Sequence, residues 1–198
     1  MEKKLKKIAE KIYKFLEKED KIREKSLKNL REILRQSAIS IKKIYQGQLK
    51  ESKEIIEKCI RKLKKVKEDL KKYPEVYYQG FLHQTEKELI EAIITISIIE
   101  KKDIPEIGDF DPVSYLHGIA ESLGEIRRYI LDKMREGSLE NIFDYLKIMD
   151  NIYFFLLNFQ FPDSITRSLR KQIDYARTII EKTRGEITAY YLLKKKDI

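Results

Sequence analysis

The stretch Glu88-Leu89-Ile90-Glu91-Ala92-Ile93-Ile94-Thr95-Ile96-Ser97-Ile98-Ile99 constrains the fold more than any other. Read at 3.6 residues per turn it is apolar nearly all the way round, which suits a helix in the middle of a bundle and not one on its surface. It falls short of the roughly 20 apolar residues that a bilayer crossing needs, and it opens with two carboxylates. Its many isoleucines would also suit a strand. A helix is favoured because Thr85-Glu86-Lys87-Glu88 has capping-box spacing, while Tyr73-Pro74 offers an earlier start with Pro at the first helical position.

The rest of the composition agrees with a helical core. Among 198 residues there are 7 Gly, 4 Pro and no Trp, and 42% are hydrophobic. This predicts an all-α protein, one domain spanning residues 1–198, built as a bundle of about six to seven helices. The lone Cys59 falls in an apolar helical stripe and reads as a small core residue in a reducing, cytoplasmic setting. Met1-Glu2-Lys3-Lys4 leads straight into a charged helix without the apolar run of a signal peptide, so neither secretion nor membrane insertion is expected.

Charge is unevenly spread. Residues 1–72 hold 25 Lys and Arg against 12 Asp and Glu, a net of +13, whereas the remainder is net −4. Such an excess suits a polyanion, with nucleic acid ahead of anionic membrane. The same lysines equally suit the solvated faces of long helices.

Leu5, Ile8, Ile12, Phe15 and Leu16 mark a short first helix ending near Glu19-Asp20, and a second is expected from Ile22 to Tyr45, before Gly47. Ile56, Cys59, Ile60, Leu63, Val66 and Leu70 mark a third that stops before Pro74. The central helix ends near Lys101-Lys102, and residues 103–110 form an irregular connection. Asp111-Pro112 opens a fifth helix that Gly137 closes. A sixth covers Leu139 to Asn158. After Pro162 a seventh covers Ser164 to Thr183, and Lys194-Lys195-Lys196 form a mobile tail.

Glu88 and Glu91, at i and i+3, are neighbours on one helix face. Two carboxylates beside a buried segment are costly unless a divalent cation or basic side chains neutralise them. The fifth helix places His117, Glu121 and Glu125 on one face, and Gly118 and Gly124 within it suggest that another backbone comes close. If that backbone belongs to the central helix, three or four carboxylates converge on a site for a hard, oxygen-seeking cation such as magnesium. Plainer roles stand beside this one. Glu88 can serve as the capping-box partner of Thr85, Glu125 can pair with Arg128, Glu121 can be solvated, and His117 can simply be packed.

The run Tyr115-Leu116-His117-Gly118-Ile119-Ala120-Glu121-Ser122-Leu123-Gly124-Glu125-Ile126-Arg127-Arg128 resembles the segment Tyr-Leu-x-Gly-x-Ala-Asp-x-x-Gly-Glu-Leu-x-Arg of the translin and translin-associated factor X (TRAX) family. Arg31-Glu32-Ile33-Leu34, Tyr73-Pro74-Glu75-Val76-Tyr77-Tyr78 and Arg184-Gly185-Glu186-Ile187 are similar to further family fragments in the same order. TRAX-type catalytic subunits carry Glu-x-x-Glu-Ala and the Asp of Gly-x-Ala-Asp as a metal-binding set for RNA cleavage, whereas plain translin subunits lack the paired glutamates. Glu88-Leu89-Ile90-Glu91-Ala92 matches the first motif. Glu121 stands where the Asp would be, with one methylene more, and Glu125 matches the Gly-Glu.

The resemblance implies a translin-like fold and a magnesium-dependent endoribonuclease acting on single-stranded or loosely structured RNA. Glu88, Glu91 and Glu121 would be its catalytic residues, and the same three with Glu125 its Mg2+ ligands. It further implies a homo-oligomer, an octamer with inward-facing sites. The alternative is a translin-like protein that binds single-stranded RNA or ssDNA without cutting it.

Overall fold

The computed structural model describes residues 1–74, 80–138 and 140–196. Seven helices and no strand occur among the described residues: α1 Glu2–Tyr45, α2 Leu49–Leu70, α3 Gly80–Ile99, α4 Pro112–Arg135, α5 Ile142–Leu156, α6 Asp163–Thr166 and α7 Leu169–Lys196. This is the all-α bundle of about six to seven helices expected from the sequence. None of these helices is long and apolar enough to cross a membrane.

Helix α3 is apolar all round because it has two cores to serve. Ile90, Ile94 and Ile98 pack with α4, α5 and α7. Leu82, Leu89, Ala92 and Ile96 pack with α1 and α2. Full burial of each of these leucines and isoleucines stabilises by about 1.5–3 kcal/mol, so α3 ties the two halves together. Cys59 is a buried member of the second core.

Helix α4 lies against α3 because Gly118 lets it. A Cβ built at Gly118 would sit 2.6 Å from Cβ and Cγ2 of Ile90 and 2.8 Å from the carbonyl oxygen of Lys87. No larger residue permits this approach. Gly124 does not share the role: a Cβ there would meet nothing within 4 Å, against the expectation that both glycines face a neighbouring backbone.

Several boundaries differ from the sequence reading. The first two expected helices are one, because Glu19-Asp20-Lys21 contains no helix breaker and Lys21 pairs with Glu17 one turn earlier, at 2.8 Å. Thr85 lies inside α3, where its hydroxyl donates 2.8 Å to the carbonyl of Phe81, so it does not cap the helix. The alternative start at Tyr73-Pro74 leads into residues 75–79, outside the described residues, as is Leu139 at the expected start of the sixth helix. That helix, α5, is described from Ile142. The expected seventh helix is broken by Arg167 and Ser168, both left-handed with φ of 50° and 64°, into a one-turn α6 and a long α7. Helix α7 continues through Lys194 to Lys196, where a loose tail was expected.

The start of α4 is as expected. Asp111 caps it by accepting from the backbone N–H of Ser114 at 2.9 Å, and Pro112 follows in the first turn. Gly137 ends it with φ of +80°.

A candidate carboxylate site between α3 and α4

The close packing at Gly118 sets Glu88 and Glu91 of α3 beside Glu121 and Glu125 of α4. Glu91 is the most perturbed of the four. Burial first, then the charges of Glu121, Glu88 and Glu125, push its carboxyl up to about 8, with Lys87 opposing. No hydrogen bond among the described residues relieves it. Glu88 is also raised, chiefly by burial, while the Lys87 ammonium and a hydrogen bond donated by Gln84 at 2.7 Å pull the other way. Bringing these like charges together costs folding free energy at neutral pH, which marks the cluster as a functional candidate.

Glu121 is paired and only partly exposed. It accepts from the Lys87 ammonium at 2.8 Å and from the Gln172 amide at 3.2 Å. Glu125 is engaged by the Tyr45 hydroxyl, which donates to its carboxylate and lies 2.9 Å from its backbone carbonyl oxygen. The Tyr45 phenol is raised by burial and by that carboxylate. Arg128 does not pair with Glu125 but sits over the Tyr45 ring, 4.2 Å from its centroid. A cleft of about 430 Å³, lined by Glu91, Glu121, Lys171, Gln172 and Tyr175, opens the cluster to solvent.

The chemistry of the donors suits a hard cation: all four are carboxylates, and Glu91 has no partner of its own. Their placement is less ready. Among the described residues, no three acidic, histidine or cysteine side chains stand close enough together to hold a metal as they are. The basic group between them is Lys87, whose Nζ is also 4.0 Å from Glu88.

His117 takes no part. It is buried, and its Nε2 donates to the Thr166 carbonyl at 2.8 Å, which ties α4 to α6. Its ring meets His83 edge-on at 5.3 Å. His83 Nδ1 lies 2.6 Å from both Ser114 Oγ and Arg167 Nη1, and burial together with Arg167 pushes it down to about 4, so it stays neutral.

The sequence reading missed Lys87, Gln172 and Tyr45. Lys87 immediately precedes Glu88, and that adjacency gave no sign that it reaches Glu121 of α4. Gln172 and Tyr45 arrive from helices 51 and 80 residues away from their glutamates, and no local period reports that.

Against known proteins, the chain is 34% identical to the translin/TRAX-type C3PO of Archaeoglobus, AfC3PO, covering 93% of this chain and 97% of that one, with TM-scores of 0.87 for its crystal structure and 0.86 for its duplex RNA complex. The chain belongs to the translin/TRAX family. An uncharacterized protein of Methanocaldococcus jannaschii is 33% identical over 179 residues, covering 89% of this chain and 79% of that protein. The Neurospora protein apo-NeC3PO, at 22% identity and a TM-score of 0.83, covers 92% of this chain and shares the fold. No protein-family model matches the chain. Within the translin/TRAX fold, the Tyr115–Arg128 segment forms most of α4, and the Glu88-Glu91 pair lies directly across from it.

Proposed function

We propose that this translin/TRAX protein is a magnesium-dependent endoribonuclease working as a homo-oligomer, an octamer in the reading implied by its family resemblance. The observation that carries the reading is Glu91, a largely buried carboxyl surrounded by three other glutamates at the edge of an open cleft. Glu88, Glu91 and Glu121 would hold the cation, with Glu125 a further ligand. Bound there, magnesium supplies an activated water and offsets charge that builds on the phosphate.

The other groups on the cleft suit a nucleic acid. Lys171 and Tyr175 are exposed at its rim, a cation for a phosphate and a ring face for a base. The basic surface of α1 and α2 adds sequence-independent attraction that weakens as salt rises. AfC3PO has been seen with duplex RNA, which supports RNA as the ligand and extends the expected substrates from single strands to duplexes.

Binding without cutting is the second reading. It is supported by the Lys87–Glu121 pair and by the absence of a ready-made group of metal ligands among the described residues. Cleavage of end-labelled single-stranded and duplex RNA, in magnesium and in EDTA, separates the two. Magnesium-dependent products from the parent and none from Glu91→Ala, with RNA affinity retained, support the nuclease. Binding with no cleavage in either buffer establishes the second reading.

A further inference from the structure

Lys87 has an unusual position for a lysine of this chain. Its side chain is only 13% exposed, compared with 71% for Lys21 and 66% for Lys25. Its ammonium lies 2.8 Å from Glu121 and 4.0 Å from Glu88, two of the proposed ligands. Lys67 is equally sheltered, but it has two partners in its own fold: it donates to the buried Glu86 carboxylate at 2.6 Å and to the backbone carbonyl of Asp109. Among the described residues Lys87 has one hydrogen bond for its three donors.

We propose that Lys87 is a built-in counter-ion that occupies the carboxylate cluster and must be displaced from Glu121 before a divalent cation can bind. The inference rests on the reading above that the cluster takes such a cation. A divalent cation held by the Glu121 carboxylate would stand within a few ångströms of the Lys87 ammonium, and like-charge repulsion in this sheltered site makes metal uptake an exchange of one cation for another. Lysine suits the part, because it is a compact charge on a flexible stem that can swing away without moving the helix backbone. The competition lowers apparent metal affinity by the fraction of molecules in which Lys87 holds the site. Two of the four carboxylates, Glu121 and Glu88, stand around this ammonium where three gathered ligands are absent.

The test is calorimetric titration of the full-length protein with magnesium, and with manganese as a stronger-binding probe, alongside thermal unfolding in EDTA and in saturating magnesium. Lys87→Gln is expected to bind the cation at least about tenfold more tightly than the parent. It should also melt below the parent in EDTA, with that deficit erased by magnesium. Lys87→Arg, which keeps the charge, should bind no more tightly than the parent. If the parent binds and Lys87→Gln binds no better, the inference falls while the cation site stands. If parent, Lys87→Gln and Lys87→Arg all show neither heat nor magnesium-dependent stabilisation, the cation site itself falls and takes the inference with it. Should Lys87→Gln not fold even in magnesium, Lys87→Arg decides: weaker binding than the parent supports the competition, and tighter binding overturns it.

Discussion

Glu91 connects the chemistry of single residues to a measurable property of the whole chain. Its carboxyl ionises near its ordinary value of 4.5 when unfolded and only near 8 when folded. The folded state therefore holds a proton that the unfolded state releases, and stability falls as pH rises from about 4.5 to about 8, with the loss complete above that. In EDTA, Glu91→Gln should match the parent near pH 4.5 and become more stable than it by pH 8, by on the order of 2–4 kcal/mol. Urea unfolding across this range measures the difference, and parallel curves for the two proteins would refute the placement of Glu91 among its neighbours. Glu121 permits a second residue-scale comparison, because it departs from the family's Asp. Glu121→Asp should retain magnesium-dependent cleavage, and Glu121→Gln should lose it, since the amide keeps the shape without the charge. Parent-like cutting by both variants would move the site to Glu88, Glu91 and Glu125. The carboxylates themselves were legible in the sequence because i, i+3 and i+4 spacing is local. Lys87, Gln172 and Tyr45 were not, because what each meets is decided by how helices far apart in the chain come together.

For the helices, what was legible followed from how strong each local signal is. Asp111-Pro112 predicted the start of α4 because a cap and a first-turn proline act within four residues. Gln46-Gly47-Gln48 predicted the break between α1 and α2, where Gly47 takes φ of +73°. The Arg167-Ser168 break carried no such signal, since neither residue type favours the left-handed region. Glycine has the opposite difficulty: the sequence shows where it is and not what it faces. Gly118 and Gly124 look alike in the chain and differ in the fold, so their alanine variants should diverge. Gly118→Ala forces its methyl against Ile90 and the Lys87 carbonyl, and should destabilise by about 1–3 kcal/mol. Gly124→Ala adds a methyl to open space within a helix, and should stabilise by about 0.5–1 kcal/mol. Denaturant midpoints measure both changes, and equal effects would contradict the approach of α4 to α3 at Gly118. Gly118→Ala should also impair cleavage more than its stability loss explains, because the displaced backbone is that of Lys87, next to Glu88.

At the scale of the whole molecule, the first half of α1 is the part that the chain leaves unsupported. The helix contributes no buried residue before Ser26, and residues 1–18 are all exposed; contact with the bundle begins where Lys18 lies over the Tyr73 ring and Ile22 packs against the core. Along this arm Leu5, Ile8, Ile12, Phe15 and Leu16 are all exposed, Ile8 least at 47%. A helix of this length in water gains little from propensity alone and is normally held by burial of its apolar face. Spacings of three and four residues, from Leu5 to Ile8, Ile12 and Phe15, describe a seam for a partner surface. Further large apolar side chains are exposed elsewhere, including Phe143, Phe154 and Phe161, which a monomer would leave in water. The parent is therefore expected to scatter light as a species several times heavier than its 23.7 kDa chain. Replacing Ile8 and Ile12 together by glutamate should lower that mass. Because neither side chain packs within its own chain, the unfolding midpoint of the bundle core should hardly change when the variant is compared with the parent at a dilution where both are monomeric. A variant that keeps the parent's mass would show that the arm is not part of the assembly. One that loses the bundle's own stability would show instead that the arm folds back onto its own chain.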